Sequence, residues 1–244
     1  MKLTFLGTRG YIEPHTPQHR MHTSTRITAS RSNVVIDCGE TWRGRLDELQ
    51  ADAIVITHAH PDHILGLADG SRCPVWAVGK AWQAMRRLPI EARLRRTLEP
   101  RRPQSIAGMR FEAFPVVHST RAPAVGFRIT SRRASIFYAP DVLAIGRRRE
   151  ALQGIRAYVG DGARILRPLV RREKGTGRWI GHTSVRVQLD WCRAAGVPQM
   201  IVTHCGSQIV RAGDEAARAA LEALGRERGV EVLLAHDGLE LTLR

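Results

Sequence analysis

The chain has 244 residues, 43% of them hydrophobic and 25% charged, with a formal net charge of +15. That length can bury a sizeable core in one large α/β domain or two small ones, and no run of eighteen apolar residues reads as a membrane span. All but three of the 38 basic residues are arginine, the lysines being Lys2, Lys80 and Lys174, so an anionic partner and a merely arginine-rich surface are both open readings.

The N-terminus "MKLTFLGTRG" turns after five or six residues and lacks the apolar core of a signal peptide. Apolar runs bounded by turn residues predict strands at 2–6, 23–29, 33–37, 53–57, 74–78, 109–117, 124–130, 134–139, 156–160, 199–203, 230–235 and 239–243. Helical patterns fall at 41–49, 80–88, 143–153, 183–195 and 213–228, the last opened by Asp214 and stopped by Gly229. Two sheets with helices outside fit this order. Cys38, Cys73, Cys192 and Cys205 are widely spaced with no CxxC pair, which predicts reduced thiols and a cytoplasmic protein.

Chemistry concentrates in "VITHAHPDHILG", where His58, His60, Asp62 and His63 fall within six positions directly after a buried strand. Burying four such groups unpaired is costly. Ligands gather at the carboxyl ends of strands in open α/β sheets, and Pro61 is suited to start a helix there. His58 and His60 alternate on extended backbone and project alike, while Asp62 and His63 follow the turn. One turn can therefore feed two adjacent metal sites, with ligands suited to Zn²⁺, or to Mn²⁺ or Fe at an oxygen-rich site. Three further candidates sit where an apolar run stops: His118 in "FPVVHS", Asp141 in "FYAPDV" and His204 in "IVTHCG".

"THAHPDH" resembles the HxHxDH signature of the metallo-β-lactamase superfamily, and the resemblance runs through "FLGTRG", "VIDCGE", His118, Asp141 and His204. It implies an α/β fold, the αββα sandwich of two mixed sheets flanked by helices, with residues 1–244 forming one hydrolase domain. It also implies two metals. His58, His60 and His118 would hold one, Asp62, His63 and His204 the other, with Asp141 bridging and Asp37 orienting a ligand histidine. The segment "GHTSVRVQLDWCRAAGVPQMIVTHCGSQ" is similar to the phosphodiesterase branch, which includes the tRNA 3′-end endonuclease and a cyclic phosphodiesterase. There the first histidine of this segment, here His182, acts on the leaving group. Asp62 and His182 are thus the expected catalytic pair. Two metals about 3.5–4 Å apart would activate water and clamp both oxygens, while a histidine supplies the proton the leaving alkoxide needs.

The chain lacks the long Gly/Pro-rich arm of the tRNA endonuclease and the N-terminal cysteine cluster of the cyclic phosphodiesterase. Instead "ARILRPLVRREKGTGRWIG" precedes His182 and offers Arg167, Arg171 and Arg172 to phosphate, with Trp179 available to stack on a base; a solvated loop is the bland alternative. His15, His19 and His22 read as a polar loop near the rim, Asp161 as support behind the site, Cys205 as a buried small residue, and His236 as part of a "DG" hairpin turn. The reading is a dinuclear-zinc phosphodiesterase acting on a small or cyclic nucleotide-like diester, with a homodimer as the expected assembly and no membrane partner. The alternatives are a nuclease on RNA or DNA, a thioester or lactone hydrolase on the same metals, and a basic nucleic-acid-binding module with structural metals.

Overall fold

A computed structural model describes residues 1–132 and 134–243. The first sheet is built from β1 (Lys2–Gly7), β2 (Ser24–Ala29), β3 (Ser32–Ile36), β4 (Ala53–Val55), β5 (Val75–Val78) and β6 (Arg95–Leu98) in sequence order, and the C-terminal strand Glu240–Thr242 closes the edge beyond β1. The second contains β7 (Gln104–Ile106), β8 (Met109–Val117), β9 (Ala124–Thr130), β10 (Ser135–Ala139), β11 (Ala144–Ile145), β12 (Ala157–Asp161), β15 (Gln199–Thr203) and β16 (Glu231–Leu234). Its order is β11-β8-β9-β10-β12-β15-β16, with β7 beside β8. Both sheets are mixed: β3 to β6 run parallel, as do β10, β12, β15 and β16, while the meanders β1–β2–β3 and β8–β9–β10 are antiparallel. A separate hairpin pairs β13 (Leu169–Arg172) with β14 (Trp179–His182).

The layering follows from side-chain alternation. In β10, Ile136 and Tyr138 join the core between the sheets, whereas Phe137 and Ala139 face the helical layer. β15 does the same, with Ile201 inward and Met200 and Val202 outward. Strands apolar on both faces belong between two covered faces, which is why these segments read as continuous apolar runs. Over the second sheet lie α3 (Arg148–Leu152), α4 (Val185–Ala195) and α6 (Asp214–Arg226), which bury Leu152, Leu189 and Leu221 against it. α1 (Pro61–Ile64) and α2 (Gly79–Ala84) belong to the first half, and α5 (Ser207–Ala212) follows β15. This is the αββα sandwich.

Several elements differ from expectation. The helix predicted at 41–49 is two 3₁₀ turns, Glu40–Trp42 and Leu46–Leu49, separated at Gly44, whose φ of +72° no continuous helix accepts. The helix predicted at 143–153 starts only at Arg148, because Ala144 and Ile145 pair with β8. The segment weighed as a solvated loop is the β13–β14 hairpin. The "DG" turn at Asp237–Gly238 is not a hairpin: it carries the chain from β16 in one sheet to the last strand, β17, in the other. His19 and His22, expected on a polar loop, are buried, while Cys205 is buried as expected. No helix among the described residues is long and apolar enough to cross a membrane.

Asp237 ties this crossing to the loop after β1. Its Oδ1 accepts from Thr8 N (2.9 Å) and Thr8 Oγ1 (2.8 Å), and its Oδ2 from the amides of Arg20 and Met21 (both 2.8 Å). The Thr8 hydroxyl accepts in turn from His19 Nδ1 at 2.7 Å. An asparagine would turn an NH₂ toward two of these donors. Asp237→Asn is therefore expected to lower unfolding stability by about 2–4 kcal/mol in denaturant titration, since each buried donor left unpaired costs about 1–3 kcal/mol; an unchanged midpoint would show the loop is held by other contacts.

Candidate metal centre

Six strand ends converge on one edge of the sandwich. Asp37 follows β3, Thr57 to His60 follow β4, His118 follows β8, Asp141 follows β10, Asp161 ends β12 and His204 follows β15. Asp37 and His204 both have positive φ, +62° and +51°. Left-handed backbone in a non-glycine residue is uncommon and recurs at functional sites; here it turns each side chain off its strand toward the same point. α1 docks through backbone: Cys38 N donates to His63 O (2.7 Å) and Gly66 N to Cys38 O (2.9 Å). Gly39 permits that approach, because a Cβ there would lie 2.1 Å from Asp62 O.

The buried carboxylate of Asp37 sets the histidine tautomers. Its Oδ1 accepts from Thr57 N (2.8 Å), and its Oδ2 from Thr57 Oγ1 and His63 Nδ1 (both 2.7 Å). With the Thr57 hydroxyl donating to Asp37, His58 Nδ1–H donates to Thr57 Oγ1 (3.0 Å). His118 Nδ1–H donates to Gly181 O (3.2 Å). These assignments follow from the hydrogen-bond network. They leave Nε2 of His58 and His118 as bare lone pairs and turn Nε2 of His63 toward Asp62 and Asp141.

Where those lone pairs point decides what the site can hold. His58 Nε2 lies 3.0 Å and His118 Nε2 3.2 Å from His60 Nδ1. Burial lowers the pKa of all three rings, that of His118 to about 4 and that of His58 well below the usual value. Three neutral nitrogens facing one point, with at most one proton among them, repel each other unless a cation sits there. On the other side, His204 Nε2 is 3.1 Å and His63 Nε2 3.4 Å from Asp62 Oδ2. Asp141 spans both groups: its Oδ2 is 2.9 Å from His63 Nε2 and 3.2 Å from His204 Nε2, and its Oδ1 3.5 Å from His118 Nε2. His63 Nε2 and Asp141 Oδ2 are buried and meet no polar atom outside this cluster. Burial would lower the pKa of His63, but Asp62, Asp37 and Asp141 drive it well above the normal value. The field at this point is strongly negative. Histidine and carboxylate donors converging from several strand ends, together with that field, fit a metal ion at each group.

His182 stands beside these groups in a different way. Its Nδ1 is 2.7 Å from Asp161 Oδ2 and 3.7 Å from Asp141 Oδ1. Asp161 is fully buried; its carboxylate also accepts from Val142 N (3.0 Å) and Ala163 N (2.8 Å), and Gln188 of α4 bonds both its backbone N–H and its C=O. Burial lowers the pKa of His182, but the charge and hydrogen bond of Asp161 outweigh it and carry the ring to about 9. A cavity of about 590 Å³ opens over the centre, lined by His60, Asp62, His118, Asp141, His182 and His204 with Arg164 at its wall.

All seven expected ligands and His182 are thus brought together, and Asp37 lies behind them. The three expected phosphate-binding arginines divide. Arg171 lines a cavity of about 430 Å³ beside His60, His118 and His182. Arg172 rests its guanidinium over the Trp179 ring at 5.0 Å, and Arg167 is exposed on the approach to β13. Arg164, in the basic segment expected to meet phosphate, lines the main cavity, whereas Thr57, Gln188 and Gly181 were not among the expected residues. Thr57 carried the only signal, a hydroxyl at the end of a buried strand directly before the histidine cluster.

The fold and this centre define a metal-dependent hydrolase. Residues 32–205, from β3 to the position after His204, match the β-lactamase superfamily domain, and the chain belongs to that family. It is similar to ribonuclease Z of Methanopyrus kandleri, at 25% identity over 99% of this chain and 98% of the relative. Ribonuclease Z of Bradyrhizobium diazoefficiens is 37% identical over 70 residues, only 27% of this chain and 22% of that protein. Among solved structures, the metallo-β-lactamase fold protein YhfI from Bacillus subtilis superposes with a TM-score of 0.74 at 14% identity over 98% of each chain. A diphosphatase from the PhnP family gives 0.72 at 21% identity, over 100% of this chain and 98% of that one.

Asp37→Asn keeps the shape but aims an amide NH₂ at a donor from Thr57 or His63. Zinc affinity, measured by competition with a chromogenic chelator, is expected to fall 10- to 100-fold, the usual loss when the group behind a ligand histidine is removed. Unchanged affinity would mean that the tautomers are set elsewhere.

Proposed function

We propose that the protein is a phosphodiesterase of nucleotide-type substrates that carries two zinc ions per chain. His58, His60 and His118 would hold one ion and Asp62, His63 and His204 the other, with Asp141 between them. The observation behind this is the carboxylate of Asp141 with one oxygen toward each group. Zinc in such a pair supplies Lewis-acid polarisation of the phosphoryl group and activates water.

The chain's own residues do the rest. Asp62 and Asp141 keep their charge, because His63 and His204 around them outweigh the effect of burial. Asp161 takes the Nδ1 proton of His182 in a hydrogen bond, which leaves Nε2 free to deliver a proton to the leaving oxygen. Arg164 and Arg171, on the cavity walls, neutralise the phosphoryl charge. The expected small or cyclic diester and an RNA strand share this chemistry. The full-length similarity to a protein named ribonuclease Z favours RNA as the second reading.

Two results are expected. Wild-type protein saturated with zinc binds two ions per chain by elemental analysis, and Asp141→Ala weakens both; one ion per chain would contradict the pair. His182→Ala keeps both ions and loses roughly 10²–10⁴-fold in kcat on an alkyl diester, the range for a general acid. The loss shrinks with a nitrophenolate leaving group, which needs little protonation. Loss of an ion instead would make His182 a ligand.

A further inference from the structure

The large apolar side chains left exposed are Tyr11, Val117, Leu166, Leu169, Val170 and Trp179. Tyr11 and Leu169 line the main cavity, Val170 the neighbouring one with Arg171, and Val117 and Trp179 a third of about 560 Å³. Leu166 lies three residues before Leu169. Scattered apolar residues on a soluble surface need no explanation, but this concentration around one mouth marks a binding surface.

Apart from His118, the third cavity is lined by none of the residues of the metal centre. Pro115, Pro123 and Val125 form its apolar wall, Trp179 its aromatic one, and Lys80 and Arg178 its charged edge. Among the described residues, neither cation has a carboxylate oxygen within 4.0 Å. The cavity adjoins the one over the metal centre, because His118 lines both. The hairpin is fixed to that histidine: Gly181 N donates to His118 O at 2.8 Å, and Gly181 O accepts from His118 Nδ1. Gly181 has a φ of +127°, and a Cβ there would meet Leu169 O at 2.1 Å. Arg172 over the ring further restrains Trp179.

We propose that this cavity is a second subsite, which holds a nucleotide unit next to the phosphate that is cleaved. The base packs on Trp179 and the proline wall, and the unit's own phosphate meets Lys80 and Arg178. The volume suits one such unit, since ligand sites of about 300–1,000 Å³ enclose molecules of that size. The proposal rests on the phosphodiesterase reading and deepens it: the substrate extends at least one nucleotide beyond the cleaved bond.

The test is binding to the zinc-loaded protein, with adenosine 5′-monophosphate, adenosine and ribose 5-phosphate as probes, followed by calorimetry and tryptophan fluorescence. The monophosphate is expected to bind more tightly than either fragment and to quench the emission of Trp179, which is the one tryptophan more than half exposed. Trp179→Ala should weaken it roughly tenfold or more, the effect of losing a base–aromatic stack, while Trp179→Phe restores most of the affinity. Arg178→Ala should weaken the monophosphate and leave adenosine unchanged. Equal affinity for ribose 5-phosphate and the monophosphate in wild type and Trp179→Ala alike would overturn the proposal, because the ligand would then be held by its phosphate at the metals. So would a dimer that dissociates on Trp179→Ala with monophosphate affinity intact, since the patch would then be an interface between copies. Hydrolysis of bis(4-nitrophenyl) phosphate judges the phosphodiesterase reading separately, so the two can fail independently.

Discussion

The site depends on one buried carboxylate. Asp37 accepts three hydrogen bonds, from Thr57 twice and from His63 once. Through Thr57 it also fixes His58, so a single acid decides which nitrogen two rings of two different groups turn toward the centre. Its left-handed backbone turns the side chain away from β3 and under the histidine loop. Strain of about 1–3 kcal/mol per such residue persists only where the surroundings over-determine it. Here the surroundings are the fully buried ends of β3 and β4 and the docking of α1 on Gly39.

The two sheets then work as a pair of jaws. The first supplies His58, His60, Asp62 and His63 from one loop, and the second supplies His118, Asp141, Asp161 and His204 from four strand ends. Each of the two proposed groups draws on both sheets: His118 joins the rings of the first sheet, and His204 joins Asp62 and His63. The packing between the sheets, with Phe5, Ile36, Phe127 and Tyr138 buried in it, therefore positions the site as well as stabilising the fold. Asp161 repeats in the second sheet the part Asp37 plays in the first. It is buried, bonded to backbone amides, and fixes one histidine, His182.

The candidate residues could be picked out in the sequence because His58, His118, Asp141 and His204 each stand just after an apolar run that forms a strand. "AIVITHAHPDH" and "MIVTHC" announce both the strand and the group at its end. The supporting groups were harder to see. Thr57 reads as one more β-branched strand residue, and its importance lies in two hydrogen bonds that no pattern encodes. The β13–β14 hairpin was missed because β13 is exposed along its whole length and shows no alternation, and its arginines read as solvated charge. β6 was missed for the same reason: Arg95 and Arg96 face solvent at the edge of the first sheet. The "DG" turn was correctly read as a turn, but local sequence does not say that the next strand pairs with β1 rather than β16.

The central claim is that two ions sit in the groups joined by Asp141, with His182 beside them as a proton donor. A crystal of the zinc-loaded protein measured at the zinc absorption edge tests it most directly. Two anomalous peaks per chain are expected, one within bonding distance of His58, His60 and His118 and one within bonding distance of Asp62, His63 and His204, with Asp141 touching both. Asp161, His182 and His204 also lie close enough together to hold an ion. A peak at that group, or a single peak per chain, would contradict the account.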